Sequence, residues 1–192
     1  MKKGIVFALS VLILASCQKE PQPPRLPADS SIPTLSWAIA SFATVTRFYA
    51  FGDPKLGNPA NGGYQMLLTD TTTAIFTACT GIVQSITPDG NGGNSVLIKY
   101  KNNSIYSFLY TGIGRVQVHV NDSLQNSALI GTIARNGIMG FSLIKNGHEA
   151  ICPSLLGAES FNNSIITAMN QNNAITPEDS VFSPCVVDSI AF

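Results

Sequence analysis

Histidine and cysteine, the residue types that most often carry chemistry, are scarce in this chain: it has two histidines, His119 and His148, and four cysteines. His119 falls in a segment where valines alternate with polar residues, so we expect its imidazole on the polar face. His148 follows an Asn-Gly pair typical of a tight turn. Isolated histidines on polar surfaces are ordinarily surface residues, and we expect neither a metal ion nor a cofactor.

The first 17 residues have the pattern of an export signal. Lys2 and Lys3 precede the apolar stretch IVFALSVLIL, which is too short to cross a bilayer as a helix. It ends in Leu-Ala-Ser-Cys, which resembles the bacterial lipobox, in which the cysteine is lipidated and becomes the new N-terminus. We predict a lipoprotein signal peptide at residues 1–16 and lipidation of Cys17; the alternative is an ordinary signal peptide with a chance cysteine.

Residues 17–31 are predicted to form a lipidated tether, because four of them are prolines and favour extended chain over a packed core. Multiple acyl chains give stable membrane anchoring. We therefore expect a cell-envelope protein that is held to a membrane by its lipid. The outer membrane is the expected membrane, with the domain on its periplasmic or its outer side.

The remaining cysteines, Cys79, Cys152 and Cys185, are odd in number and allow at most one intramolecular disulfide. A Cys152–Cys185 bridge would tie the C-terminal tail to the domain. Alternatively, all three are buried thiols that act as small apolar side chains. No motif pairs Cys79 with a histidine as a nucleophile.

Composition limits the function of the remaining part, residues 32–192. The chain has 11 basic and 11 acidic residues and 45% hydrophobic residues. This length and hydrophobicity suit one domain with its own core. The balanced charge argues against nucleic acid as a partner, since phosphate binding needs clustered Lys and Arg.

The hydrophobic pattern predicts an all-β domain, a sandwich of short antiparallel strands. The predicted strands are residues 74–78 paired with 81–86, residues 95–101 in a hairpin with 104–110, and residues 115–120, 129–134 and 140–145. Asn102-Asn103 is the predicted turn of that hairpin. A short helix is predicted at residues 160–170, with Ser160 as its cap and Phe161, Ile165 and Met169 on one face.

Five segments in this order resemble the LytM-type, or M23, zinc endopeptidases. They are TAIFTACTGIV (residues 73–83), GNSVLI (93–98), YTGI (110–113), VHVNDSLQNSALIG (118–131) and IMGFSLIKNGHEAICP (138–153). They are similar to that family's paired strands, its GN strand, its Tyr-Ala-His-Leu, its Val-x-Val-Gly-Asp segment and its His-x-His ending. The resemblance covers roughly residues 50–153.

The resemblance implies a zinc site that this chain lacks. Active members bind zinc through a His-x-x-x-Asp motif and the second His of His-x-His, and use two further histidines in catalysis. Here Ile138 and Gly140 stand at the His-x-His positions and Gly112 at the other catalytic position. The His-x-x-x-Asp motif should lie within residues 61–70, in an uncertain register, but no histidine lies between residues 18 and 118.

The resemblance therefore implies a degenerate, non-catalytic LytM-like domain. Such domains in other envelope proteins often activate a cell-wall amidase or bind peptidoglycan or a scaffold. We expect peptidoglycan or a cell-wall hydrolase as partner, with Tyr110 and Tyr106 as contact surface unless they belong to the core. One alternative is an active zinc endopeptidase with a misaligned site. Another is an adaptor of the barrel-sandwich hybrid fold, although Lys145 lacks that fold's usual neighbours.

Overall fold

The computed structural model describes residues 31, 33–39, 42–53, 62–157, 159–171, 185 and 189–191. The predicted signal peptide, Cys17 and all of the tether except its last residue lie outside the described residues. Within these ranges, no helix combines the length and the apolar character that crossing a membrane requires.

Eleven strands, one α-helix and two short 3-10 helices form the described part of the chain. The strands are β1 (Val45–Tyr49), β2 (Tyr64–Leu68), β3 (Ala74–Phe76), β4 (Gly81–Pro88), β5 (Asn94–Lys99), β6 (Tyr106–Val116), β7 (Ser123–Leu124), β8 (Leu129–Ile133), β9 (Ile138–Lys145), β10 (Glu149–Ile151) and β11 (Ser189–Ala191). The α-helix, α1, is Glu159–Gln171, and the 3-10 helices are Phe42–Thr44 and Pro153–Leu155.

The strands form one antiparallel sheet in the order β1-β2-β9-β6-β5-β4-β7. Strand β8 joins β6 and carries β3, and β10 joins β9 and carries β11. The prediction of an all-β antiparallel fold is confirmed, and so is the hairpin of β5 and β6 around Asn102-Asn103. Strands β8 and β9 also lie where the sequence predicts them.

The predicted pairing of residues 74–78 with 81–86 is wrong. Strand β3 pairs with β8, while β4 pairs with β5 and β7. The reason lies at Thr77, whose backbone N–H donates to Ala128 O at 2.8 Å and whose hydroxyl donates to Gln125 O at 2.7 Å. These bonds keep the chain beside residues 125–128, so it cannot fold back directly onto β4.

The predicted strand at residues 115–120 is also wrong beyond Val116, where β6 ends. After Val116 the backbone N–H groups do not continue the strand pairing of β6. The N–H of His119 donates to the Asp122 carboxylate, and the N–H of Asn121 donates to Val83 O. Val118 is buried but Val120 is 47% exposed, so the expected valine face does not form.

One face of the sheet carries the hydrophobic core. Its large side chains are aromatic or long and fully buried: Phe48, Tyr64, Met66, Phe108, Tyr110 and Phe141. Tyr110 and Phe141 lie with ring centroids 5.2 Å apart, within the range of favourable aromatic pairs. Such a core removes enough apolar surface from water to hold the sheet in one register.

Helix α1 confirms the predicted C-terminal helix and packs on the domain through Phe161 and Ile165, which are buried. Phe161 stacks on Trp37 with 4.5 Å between ring centroids. The helix begins at Glu159, so Ser160 lies inside it and the predicted Ser160 cap is wrong. The side chain of Met169 lies outside the described ones.

The disulfide between Cys152 and Cys185 is present, with Cα atoms 5.8 Å apart. It links the chain just after β10 to the segment before β11, which pairs antiparallel with β10. Cys79 is a free thiol, and burial raises its pKa to about 12. A thiol that stays protonated is a poor nucleophile, so Cys79 is a core residue.

Candidate functional site: the open face of the sheet

The other face of the sheet, here called the open face, is only half covered. Three adjacent strands, β2, β9 and β6, bring Gln65, Gly140 and Thr111 into one row, since Gly140 pairs with Gln65 on one side and with Thr111 on the other. All three are of intermediate burial. Directly paired residues have Cβ positions about 5 Å apart, so Gln65 and Thr111 flank Gly140 on either side. We call these three residues the central row.

Gly140 leaves the middle of this row without a side chain. A Cβ placed on its backbone would contact Thr111 Oγ1, and its next neighbours would be Thr111 Cβ at 3.7 Å and Tyr64 O at 3.9 Å. The hydroxyl of Thr111 therefore fills the space beside Gly140. The obstacle to a side chain here is one small side-chain atom and not the backbone.

Gly112 lies next to Thr111 in β6 and has a different environment. Its φ is +77°, and a Cβ on its backbone would collide with the carbonyl oxygen of Ile138. L-residues rarely adopt this conformation, because their Cβ clashes with neighbouring backbone. Only glycine fits at position 112 without moving the chain.

Asp89 fixes the backbone around Gly112. This residue was not singled out from the sequence. Its carboxylate accepts hydrogen bonds from the N–H groups of Gly112 (3.0 Å), Gly93 (3.0 Å) and Asn91 (2.8 Å). Partial desolvation acts to raise its pKa, but these backbone bonds outweigh that effect and hold the pKa of Asp89 below its ordinary value. A Pro-Asp-Gly sequence before a strand is the signal that could have found this turn.

Tyr110 is not a contact residue of the open face, and that prediction is wrong. Its side chain is fully buried, and its hydroxyl accepts a hydrogen bond from the N–H of Ala78 at 2.7 Å. Burial is the main cause that raises the pKa of Tyr110 far above its usual value, and the electrostatic interaction with Cys79 raises it further. Alternate residues of β6 point to opposite faces, so Tyr106 is also buried and only residues such as Thr111 reach the open face.

The two histidines lie away from the central row. His119 follows the end of β6 and its side chain is 90% exposed. His148 is in the turn between β9 and β10, where its Nδ1 lies 2.9 Å from Asn146 O. Across the described ranges, no three His, Cys, Asp or Glu side chains converge as metal ligands would.

Solved structures with similar folds connect this arrangement to a known architecture. A chain of the SpoIIQ–SpoIIIAH pore-forming complex superposes with a TM-score of 0.53 at 16% identity, over 70% of this chain and 97% of that one. Csd3 of Helicobacter pylori superposes with a TM-score of 0.53 at 13% identity, over 77% of this chain and 44% of Csd3. Lysostaphin superposes with a TM-score of 0.51 at 16% identity, over 68% of this chain and 58% of lysostaphin.

The chain has a LytM-type fold. At identities this low, the likeness concerns the fold alone, and the chain spans about half the length of Csd3 and lysostaphin. The sequence itself matches no family model and no curated protein. What the LytM-type domain does must therefore be argued from the residues of its open face.

Proposed function

We propose that this chain is a catalytically inactive LytM-type domain that serves as a binding module of the cell envelope, anchored through a lipid on Cys17. The observation that carries the proposal is the backbone at Gly112. The resemblance puts a catalytic histidine at this position, but its φ and the carbonyl of Ile138 exclude any side chain. The chain is built around a glycine there, which argues against an active site with the family's geometry.

The pairing of β2 with β9 supports one register for the His-x-x-x-Asp motif. A zinc bound by Asp of this motif and by a residue at position 140 needs the two side chains adjacent. Gln65 is the residue that pairs with Gly140, so we infer that it stands at the Asp position. The matching His position is then Asn61, which lies outside the described residues.

These residues do not fit a zinc ion. Zinc in proteins is held by imidazole, thiolate or carboxylate groups. The central row offers the neutral amide of Gln65 and the hydroxyl of Thr111, with no side chain at Gly140. The alternative of an active zinc endopeptidase therefore finds no support in the central row.

The open face has the character of a peptide-binding surface. Its half-exposed side chains include some that can form hydrogen bonds, such as Gln65, Thr111 and Ser142, and apolar ones, such as Leu109 and Leu97. Polar groups fix the orientation of a bound chain, and apolar groups receive its side chains. A lipid-anchored domain would meet the peptides of peptidoglycan, so these are the first candidate ligand.

A protein partner is the second candidate, and one finding favours it. The similar fold in the SpoIIQ–SpoIIIAH complex belongs to an assembly of two proteins. A cell-wall hydrolase that this domain activates would be a partner of this kind. The LytM-type fold favours both candidates over a barrel-sandwich adaptor. Lys145, the residue that such an adaptor would use, forms an ion pair instead, with its Nζ 3.8 Å from Glu149 Oε2.

Co-sedimentation of the full-length lipoprotein with isolated peptidoglycan sacculi, in detergent, tests the proposal. We expect saturable pelleting, no release of soluble wall fragments and no effect of a metal chelator. Release of fragments that the chelator abolishes would show a zinc hydrolase and overturn the proposal. Absence of pelleting would exclude peptidoglycan and leave the protein partner, to be sought by adding purified cell-wall hydrolases and measuring their activity.

A further inference from the structure

A depression of about 420 Å³ lies at the other end of the open face, away from the central row. The strands β5, β6 and β9 form its floor, through Lys99, its cross-strand partner Ser107, and Ile144, which pairs with Ser107. We call it the Lys99 pocket. Its volume is in the range of small-molecule sites.

Lys99 is the one charged residue among the described residues that line this pocket. Its ammonium group forms no salt bridge with a carboxylate in the described part of the chain; Glu149, which pairs with Lys145, belongs to another ion pair. Lys101, the next lysine, lies over the ring of Tyr100 and donates to Ser31 Oγ at 2.8 Å. The pocket therefore presents a single positive charge, which is suited to one negative group.

Neutral hydrogen-bonding groups line the same pocket as this charge. Ser104 is buried, and its Oγ accepts a hydrogen bond from the N–H of Tyr106 at 3.0 Å, so its own proton is available to a ligand. Ser107 and the amide of Asn146 add further polar lining. A carboxylate accepts several hydrogen bonds at once, so this set of donors suits a carboxylate better than a neutral group.

Apolar groups complete the pocket. Leu97, Ile105 and Ile144 also line the pocket, and all three are half-buried. At Gly147 an added Cβ would meet no atom within 4 Å, so that side is open. A small aliphatic side chain next to the carboxylate would contact these walls.

The spacing connects the pocket to the central row. Ser107 lies four residues before Thr111 in β6, and Ile144 lies four residues after Gly140 in β9. At about 3.3 Å per residue in a strand, the separation is about 13 Å. An extended peptide of about four residues would span it.

We propose that the Lys99 pocket binds the free carboxylate at the end of a short cell-wall peptide, whose chain extends along the open face towards the central row. This inference rests on the proposed function, since it names the ligand and the contact by which the domain would recognise the cell wall. Lys99 supplies the charge, the serines and Asn146 supply hydrogen bonds, and the aliphatic walls accept the terminal side chain.

An NMR titration of the isotope-labelled, full-length lipoprotein in micelles tests this proposal. The probe is acetyl-D-Ala-D-Ala as the free acid, and its control is the same dipeptide with a C-terminal amide. We expect the acid to shift the amide signals of Ser107, Ile144 and Gly147, with a Kd on the order of millimolar for so small a ligand. The amide should bind about tenfold more weakly, because it lacks the charged group.

Variants of Lys99 make the test specific. Lys99→Gln should weaken the acid about tenfold, Lys99→Arg should retain binding, and the matched control Lys101→Gln should leave it unchanged. Equal binding of acid and amide, no binding of either, or full binding by Lys99→Gln would overturn the proposal. Equal binding of acetyl-L-Ala-L-Ala would also overturn it, since the pocket would then suit protein C-termini.

Co-sedimentation separates this proposal from the proposed function. If sacculi pellet the wild type and Lys99→Gln equally and the dipeptide acid does not bind, the pocket proposal fails and the binding module stands. If the dipeptide acid binds as expected but sacculi do not pellet the protein, the pocket proposal stands. Peptidoglycan is then excluded as the ligand of the whole open face.

Discussion

Gly112 of β6 and Gly140 of β9 lie on neighbouring strands of the open face, but their surroundings differ. A side chain at 140 would contact only the hydroxyl of Thr111 at close range, which can rotate away. A side chain at 112 would meet the backbone carbonyl of Ile138 at a positive φ. The sheet could accept a side chain at position 140 after a small local change, while the backbone at position 112 is shaped for glycine.

Gly112→Ala should have the largest effect on stability. The positive φ costs about 1–2 kcal/mol for an L-residue, and the clash adds a similar amount. We expect the free energy of unfolding to fall by about 2–4 kcal/mol, measured by urea denaturation. Gly90→Ala is the matched control, because Gly90 has φ +78° with no atom near an added Cβ. Equal losses in the two variants would show that the clash with Ile138 contributes nothing.

Tyr110→Phe tests how much the buried hydroxyl of Tyr110, on the core side of β6, contributes to stability. The variant leaves the N–H of Ala78 without its acceptor in a buried place, which costs about 1–3 kcal/mol. We expect this loss in the free energy of unfolding and unchanged binding to sacculi. Tyr49→Phe is the control for stability, because Tyr49 is only half-buried and its hydroxyl accepts one long hydrogen bond, from Arg47 Nη1 at 3.5 Å. Weaker binding with unchanged stability would restore Tyr110 as a contact residue.

Gly140→Ala should cost less, and the cost should depend on Thr111. We expect a loss of about 1 kcal/mol in the wild type, because the added methyl contacts Thr111 Oγ1. In the Thr111→Ala background the same change should be neutral or slightly stabilising. A double-mutant cycle measures this coupling. Additive effects would show that Thr111 is not the group that limits position 140.

Asp89→Asn should have the smallest effect on stability, since Asp89 is only partly buried and solvent screens its carboxylate. Its pKa is lowered in the folded state, so its contribution is present above the unfolded value and is lost as pH falls through the folded pKa. We expect the wild type to be more stable than the variant at pH 7 by less than about 1 kcal/mol, and this advantage to vanish in acid.

Hydrogen exchange at Gly112 gives a local readout of the same change. Asp89→Asn should speed exchange of the Gly112 N–H, which loses its charged acceptor. Asp70→Asn is the control, because Asp70 also accepts from a nearby N–H, that of Thr72, and its pKa is also lowered by Thr72. Equal acceleration in the two variants would show that Asp89 does not hold Gly112.

Much of the fold could be predicted from local patterns. The hairpin of β5 and β6, strands β8 and β9 and the C-terminal helix follow from periodicity and turn residues. The cysteine number allowed a Cys152–Cys185 bridge but equally three buried thiols, and the structure decided between them. The pairing of β3 could not be predicted, because Thr77 bonds to residues some 50 positions later. The contact of Asp89 with Gly112 could not be predicted for the same reason, since the two residues lie 23 positions apart.

Residue types alone show that positions 112, 138 and 140 carry no histidine, because the residue type decides which ligands a position can offer. Which side of each strand meets the core depends on the packing of the whole domain, which turns Tyr110 inward and Thr111 outward. Alternation divides a strand into two faces without saying which one is buried. That choice, and the backbone shape that keeps Gly112 a glycine, depend on how β2, β6 and β9 pair and on what packs behind them.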